Sequence, residues 1–139
     1  MASRFTPVAK IAKFKLDRLL KERQLLEAQI ARTQEEIRRL EDEVANIHYP
    51  PQGSLALMLA LKERAGIYAR EIKEKQGIIQ MLEGQKQILV ERMAQANLEY
   101  EKMRHLESRD LAMELKRAKE REAKELDAIG LTLFTNRGV

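Results

Sequence analysis

Apolar residues recur at alternating intervals of four and three along the first third of the chain. The repeat begins at Ala12 and ends at Ile47, and nine of its eleven positions are apolar, the exceptions being Arg23 and Thr33. A stripe with this average spacing of 3.5 residues lies along one side of a helix that winds around a partner in a left-handed coiled coil. The pattern therefore predicts a long first helix with one apolar seam.

A second stripe with the same spacing runs from Met58 to Met103. Twelve of its fourteen positions are apolar, and Lys75 and Lys86 are the exceptions. The next steps of the register carry charged residues, so the stripe is predicted to end at Met103. Because the two stripes have nearly equal lengths, we expect the chain to fold back on itself as an antiparallel hairpin rather than form a parallel dimer.

Residues that cap or break helices are few. Thr6 is predicted to cap the first helix, with Pro7 at a position where a missing amide hydrogen costs no helical bond. Two prolines within 49–53 disfavour helix and predict a turn, and Ser54 offers a hydroxyl to cap the second helix. Gly130 is predicted to end that helix.

The expected organisation is a single helical hairpin over residues 1–139. The first helix covers about 7–48, the turn 49–53 and the second helix about 54–129, followed by a short tail at 130–139. The predicted fold class is therefore all-α, with two long helices in an antiparallel coiled-coil hairpin and the second helix overhanging the first.

The overhang begins near residue 104 and carries a weaker apolar stripe in a shifted register. Residues 104–127 hold seven basic and seven acidic side chains. A segment of this length projects roughly 40 Å at about 1.5 Å per residue. A lone helix is marginal in water at such a length, so the overhang is expected to acquire a partner.

Composition supports helices and argues against a compact globule. Ala, Glu, Lys, Leu and Arg supply 79 of the 139 residues, whereas aromatic residues make up only 4%. The net charge is +4, and residues 1–23 alone hold seven basic and two acidic side chains. The excess of positive charge therefore lies entirely at the N-terminus.

No pattern typical of an active site is present. The chain has no cysteine, its two histidines stand apart at positions 48 and 105, and it lacks a phosphate-binding glycine loop. We therefore expect no enzymatic activity, no cofactor and no metal site. No run of about 18 apolar residues occurs, which argues against a membrane-spanning helix.

Exposed apolar residues are predicted beside the N-terminal cations. Ile11, Phe14 and Leu25 occupy outer positions of the heptad, where a solvated helix is normally polar. This face is either a solvated surface, a nucleic-acid-binding surface or a segment that inserts into a protein partner. Nucleic-acid binding is disfavoured because the heptads begin inside the basic stretch, unlike the separate basic region of a zipper protein.

A second outward apolar face follows the turn. Ile67, Ile78, Met81 and Ile88 lie off the predicted seam and alternate with three glycines at positions 66, 77 and 84. Glycine inside a helix costs about 1 kcal/mol relative to alanine, so its use there suits close approach by another backbone. This face either docks a partner or shields the seam, with the glycines adding flexibility.

The two ends and the turn together resemble a known family. The start Phe5-Thr-Pro-Val-Ala-Lys10-Ile-Ala-Lys13, the turn near residue 50 and the ending Glu120-Arg-Glu-Ala-Lys-Glu-Leu-Asp127 are similar to the FliJ family of flagellar export proteins, whose counterparts are the stalk proteins of type III secretion. The resemblance implies a cytoplasmic coiled coil in flagellum biogenesis and motility, peripheral at the cytoplasmic side of the inner membrane.

The resemblance also implies partners. Members resemble the coiled coil of the rotary ATP synthase gamma subunit, inserting into the pore of a hexameric export ATPase while the face beyond the turn engages the cytoplasmic linker of an export-gate membrane protein. Export chaperones are further candidate partners. No nucleic acid is expected, and contact with the membrane is expected only through the export apparatus.

Carried onto this chain, the resemblance assigns two sets of residues. The ATPase-facing set is Lys10, Ile11, Lys13, Phe14, Arg18, Arg117, Lys119, Arg121 and Lys124. The gate-facing set is Ile67, Tyr68, Ile72, Ile78, Met81 and Ile88. Tyr68 and Ile72 are also seam positions in the predicted register, so one of the two assignments conflicts with the other.

A different class of function stays open at this point. A helical-hairpin chaperone or a self-associating scaffold, such as a prefoldin-like or tethering coiled coil, also fits two long heptad helices. Prefoldin subunits carry β-hairpins between their helices, whereas only Tyr49–Ser54 intervenes here, which disfavours that alternative.

Overall fold

The computed structural model describes residues 3–137 and contains two α-helices. Helix α1 is Thr6–Ala45 and helix α2 is Leu55–Arg137. No strand occurs within this part of the chain. The predicted fold class, an all-α helical hairpin in which the second helix is much the longer, is confirmed.

The heptad stripes form the interface between the helices. Every predicted stripe position from Ala12 to Ile47 and from Met58 to Met103 is buried or half-buried. The most enclosed apolar side chains, all at most 9% exposed, are Ala9, Ala12, Ile30, Ile37, Leu82, Leu89 and Ala96. Burial of one stripe against the other is the main source of stability in a pair of helices that individually expose most of their surface.

The helices fall into two compact units, each built from a piece of α1 and a piece of α2. The terminal unit contains the chain up to Asp17 and the chain from Gln95 onward, and the turn unit contains Arg18–Ala94. In the turn unit, Lys75 Nζ lies 2.7 Å from Glu36 Oε2 and Lys86 Nζ lies 3.4 Å from Glu27 Oε1. Moving forward along α2 therefore moves backward along α1, as antiparallel packing requires.

The seam of the terminal unit extends beyond its predicted end. The hydroxyl of Ser3 donates a hydrogen bond to Asp110 Oδ2 at 2.6 Å, and Ser3 is only 3% exposed. Glu107 and Asp110 are half-buried on the same register. The prediction that the seam ends at Met103 was wrong because polar side chains continue the packing where apolar ones stop.

The start of α2 agrees with its predicted cap. The amide of Leu57 donates to Ser54 Oγ at 3.1 Å, which satisfies a donor that has no partner inside the helix. At the start of α1 the amide of Phe5 donates instead to Ser3 Oγ at 3.1 Å, and Thr6 is already helical. The prediction of Thr6 as the cap was therefore wrong, because Ser3 accepts the bond one turn earlier.

The other helix ends also differ from prediction. Helix α1 ends at Ala45 rather than near residue 48. Helix α2 continues through Gly130 to Arg137, so the predicted stop and most of the predicted non-helical tail were wrong, and residues 138–139 lie outside the described part. No glycine in the described range adopts a positive φ, and it is that left-handed conformation that ends a helix at glycine.

The two lysines that interrupt the α2 stripe form ion pairs across the seam of the turn unit. Lys75 lowers the pKa of Glu36 by hydrogen bonding and charge, and Glu36 in turn raises the pKa of Lys75. Arg23 and Lys86 together lower the pKa of Glu27. Polar pairs at seam positions fix the register of a coiled coil.

These pairs predict a pH dependence of stability. The Glu36 carboxylate stabilises the fold above its unfolded pKa of 4.5, and the effect is lost as the pH falls through the lower folded value. We expect Glu36→Gln to flatten the decline of the melting temperature as the pH falls below 4.5, monitored by circular dichroism. Glu83→Gln is the control, because Glu83 forms no ion pair within residues 3–137. Equal flattening in both variants would argue against the pair.

Candidate protein-binding surfaces

The terminal unit carries exposed apolar side chains on the outer side of α1. Ile11 is 68% exposed and Phe14 is 71% exposed, and the two lie one helical turn apart. Lys10 and Lys13 are exposed beside them. We call these four residues the α1 surface, and all four belong to the set predicted to face the ATPase.

A cleft of about 380 Å³ lies between the helices of this unit, next to the α1 surface. Lys10 and Lys13 line it from α1, and Tyr100, Arg104 and Glu107 line it from α2. The guanidinium carbon of Arg104 lies 5.8 Å from the ring centre of Tyr100, within the range of a cation–π interaction. Three cations against one carboxylate make the cleft suited to an acidic partner group.

The sequence pattern did not predict this cleft, because its lining residues come from both helices. Arg104 follows Tyr100 by one turn, which is a local signal that an aromatic ring and a guanidinium share a face. Only the register between the helices reveals that Lys10 and Lys13 lie opposite this pair.

The overhang of α2 carries a separate charged cluster. Glu114, Arg117, Glu120, Arg121 and Lys124 line one shallow depression. Arg117 Nη1 lies 3.9 Å from Glu114 Oε1, a loose pair on an exposed surface. We call this group the overhang cluster.

The structure separates the predicted ATPase-facing residues into several places. Arg117 lies seven residues beyond Asp110, about 10 Å further along α2 than the contact with Ser3. Lys119 lies two residues from Arg117, on the opposite side of the helix. Arg18 is exposed and belongs to the turn unit rather than to the terminal unit.

An apolar stripe on the overhang has no cover from α1. Its exposed members are Leu111 at 36%, Leu115 at 57%, Leu126 at 68%, Ile129 at 56% and Leu133 at 56%. From Leu111 to Leu133 the stripe follows spacings of 4, 3, 4, 4, 3 and 4, which is an eleven-residue repeat interrupted only by Glu122. Such a repeat keeps to one side of a nearly straight or slightly right-handed helix, unlike the heptads that face α1.

The turn unit carries the second predicted surface. Ile67, Ile78, Met81 and Ile88 are between 44% and 56% exposed. They lie close to whole turns apart along α2, so they share one side of the helix. We call these four residues the turn-unit surface.

The two remaining gate-facing predictions lie elsewhere. Tyr68 and Ile72 are half-buried at seam positions, as the predicted register requires. The Tyr68 hydroxyl accepts a bond from Arg64 Nε at 3.3 Å, and the same guanidinium lies over the ring at 5.8 Å. The two residues support α2 from the side that faces α1.

The glycines of the turn unit leave open space on the surface of α2. A Cβ atom built at Gly66, Gly77 or Gly84 would meet no atom within 4 Å. At Gly53, in the turn, it would come within 2.9 Å of Pro50 Cγ. Nothing in the fold of this chain therefore requires glycine at the three helical positions.

This difference predicts that alanine stabilises the protein at the helical glycines but not in the turn. Gly77→Ala and Gly84→Ala should each raise the free energy of unfolding by about 1 kcal/mol, because alanine loses less backbone entropy in a helix. Gly53→Ala is the contrasting variant and should give no gain, since its Cβ crowds Pro50. Urea unfolding followed by circular dichroism measures all three. A loss of stability at Gly77 or Gly84 would contradict the open surface.

Neither helix contains an apolar stretch long enough to cross a membrane within the described residues. Among residues 3–137, no group of three or more histidine, aspartate or glutamate side chains is placed to hold a metal ion.

Comparison with protein families decides the relationship. The family model described as Flagellar FliJ protein matches residues 1–138, which is nearly the whole chain. This chain belongs to the FliJ family. Members of this family are non-enzymatic components of the flagellar export apparatus, so this chain is a component of that apparatus. No curated protein and no solved structure gave a match.

Proposed function

We propose that this FliJ-family chain is a central rod of the type III export apparatus, which binds in the pore of the hexameric export ATPase and couples it to the export gate. The observation that carries the proposal is the α1 surface, where Ile11 and Phe14 are about 70% exposed beside Lys10 and Lys13, which form no ion pair within residues 3–137. Exposed bulky apolar side chains rimmed by charge are typical of protein interaction sites.

The terminal unit supplies the part that enters the ring. Ile11 and Phe14 fill apolar pockets of the pore, and Lys10 and Lys13 face acidic groups around them. The overhang cluster, with Arg117, Arg121 and Lys124 on one side of α2, adds cations further along. The apolar stripe from Leu111 to Leu133 supplies apolar contacts on the other side of α2. A straight stripe suits a straight channel. Lys119 and Arg18 contribute charge outside these groups.

The turn-unit surface supplies the contact with the cytoplasmic linker of the export-gate membrane protein. Its four exposed apolar residues alternate with glycines that let a partner backbone approach closely. Tyr68 and Ile72 act indirectly by holding α2 against α1. Attachment to the gate would place the protein at the cytoplasmic side of the membrane.

The rod acts by differential binding and carries out no chemistry itself. A ring of six identical subunits presents equivalent sites, whereas two antiparallel helices present a different side chain in each direction. Binding of such a rod favours particular subunit states through unequal contacts, which shifts the population of nucleotide states in the ring.

The decisive experiment adds the purified chain to its cognate export ATPase. Ring assembly is measured by analytical ultracentrifugation, and ATP hydrolysis is measured by phosphate release. We expect both to rise with the concentration of the chain until the ring sites are filled. An unchanged assembly state together with an unchanged hydrolysis rate would refute the central-rod proposal.

The gate contact has its own test. Met81→Gln and Ile88→Gln, combined, should abolish binding to the isolated gate linker while leaving stimulation of the ATPase intact. Leu98→Gln is the matched control, because Leu98 is 67% exposed on α2 outside the turn-unit surface. Binding as tight as that of the unaltered chain would exclude this surface as the contact.

A further inference from the structure

Residues 3–16, which include the first turns of α1, form a cationic segment without acidic residues. Arg4, Lys10, Lys13 and Lys15 lie within residues 3–16, and the first acid of the chain is Asp17. Only Lys15 approaches a carboxylate in the described structure, at 3.9 Å from Glu99, and both side chains are more than half exposed. An exposed pair at that distance contributes little, so the positive charge of this segment is largely uncompensated.

Apolar side chains stand among these cations on the outer side of the helix. Val8 is 42% exposed, and Ile11 and Phe14 are more exposed still. Lys15 follows Ile11 by one turn, and Lys10 precedes Phe14 by one turn. Each bulky apolar side chain therefore has a cation one turn away, which is the arrangement of helices that lie in a membrane interface.

We propose that this face of α1 binds directly to a membrane surface rich in anionic phospholipid. Ile11 and Phe14 enter the boundary between headgroups and acyl chains, while Lys10 and Lys15 pair with phosphates on either side. This goes beyond the indirect membrane attachment predicted from the sequence. It does not require the proposed central-rod function, because it concerns the free chain.

In the free chain, an anionic membrane fits this face better than a nucleic acid does. The residues stand on the convex side of a helix, so a protein partner must offer pockets matched to both apolar side chains. Mobile lipid headgroups adjust to any spacing of cations, and the acyl boundary accepts apolar side chains without preformed pockets. Nucleic acid would pair with the cations but gain nothing from Ile11.

The membrane proposal has a regulatory consequence if the central-rod proposal also holds. Ile11, Phe14 and Lys10 then contact both the membrane and the ATPase ring. The two partners therefore cannot bind this face at the same time. Anionic vesicles would compete with the ring for the free chain. A pool of protein held at the membrane would be released as rings become available.

The test uses the full chain and lipid vesicles in a co-sedimentation assay. One set of vesicles is pure phosphatidylcholine and the other contains phosphatidylglycerol as well. We expect binding only to the second set, and weaker binding at about 0.5 M salt than at about 0.05 M because exposed charges are screened. Equal binding to both sets would overturn the proposal.

Four variants locate the contact. Lys10→Gln and Lys15→Gln should each lower the partition coefficient about fivefold, the effect of one cation near an anionic surface. Ile11→Gln and Phe14→Gln should each lower it by about tenfold or more. Lys102→Gln and Leu98→Gln are the controls and should leave binding unchanged, since both residues are exposed outside the patch. Circular dichroism confirms that each variant stays helical.

Two results would overturn the proposal even if anionic vesicles bind. One is binding that survives loss of Ile11 and Phe14, which would indicate a general attraction of the basic N-terminus. The other is duplex DNA that displaces the vesicles at equal phosphate concentration, which would indicate a surface for any polyanion. An unaltered chain that stimulates the ATPase but does not bind anionic vesicles would refute this inference alone. An unaltered chain that binds the vesicles but leaves the ATPase unchanged would refute only the central-rod function.

Discussion

Leu89→Asp is expected to unfold the turn unit at room temperature. Leu89 is 5% exposed in the seam, and it is among the most deeply buried large apolar residues of this unit. Truncation of a buried leucine to alanine alone costs about 2.7–5 kcal/mol, and a carboxylate adds the cost of burying a charge without a partner. That sum is comparable to the whole stability of a small domain, which is about 5–15 kcal/mol.

A neighbouring residue offers a matched control for this substitution. Val90→Asp introduces the same side chain one position along the same helix, but Val90 is 42% exposed and outside the seam. We expect Val90→Asp to lower the unfolding free energy by less than about 1 kcal/mol, since its carboxylate stays in water. Thermal and urea unfolding by circular dichroism compare the two. Equal losses would mean that the heptad seam does not carry the stability.

The combined variant Ile11→Gln and Phe14→Gln is expected to lose about a thousandfold in affinity for the export ATPase. Large side chains at the centre of an interface contribute about 2 kcal/mol or more each, and two such losses correspond to about three powers of ten. Glutamine is a good helix former, so α1 should keep its structure. Titration of ATPase stimulation against the concentration of the variant measures the change.

Charge and apolar contact can be separated in this experiment. Lys10→Gln and Lys13→Gln should reduce affinity mainly at low salt, because exposed charges are screened at high salt. Leu98→Gln is again the control, with exposure matched to Ile11. Full stimulation by the Ile11 and Phe14 variant would show that the pore contact lies elsewhere on the chain.

The heptad pattern predicted the fold because burial in a two-helix structure depends almost only on register. A residue at a seam position packs against the other helix whatever its type. Lys75 and Lys86 are half-buried there despite their charge. The same register predicted Ile11, Phe14 and Met81 as exposed. Sequence reasoning therefore described both the seam and the outward surfaces.

Helix ends were predicted less well because they depend on competition between weak local effects. Gly130 lowers helix stability by only about 1 kcal/mol. This cost is too small to end the helix, and α2 continues to Arg137. Ser3 Oγ accepts the hydrogen bond of the Phe5 amide. The stronger sequence signal at Thr6 and Pro7 hid this cap. The cleft lined by Lys10 and Tyr100 needed the pairing of residues about 90 positions apart.

Small residues occupy the most buried seam positions of the terminal unit and favour a small separation between its helix axes. Ala9 and Ala12 on α1 and Ala96 on α2 are each at most 7% exposed, whereas the turn unit buries isoleucine and leucine at equivalent positions. Helix axes separate by about 8–10 Å according to the side chains between them, and alanine belongs to the lower end of that range. We therefore expect the helix axes to lie close together beside these alanines. A ring that encloses the terminal unit can have a narrower bore than a leucine-packed hairpin would need, and Ala12→Leu would thicken the unit without altering its surface charge.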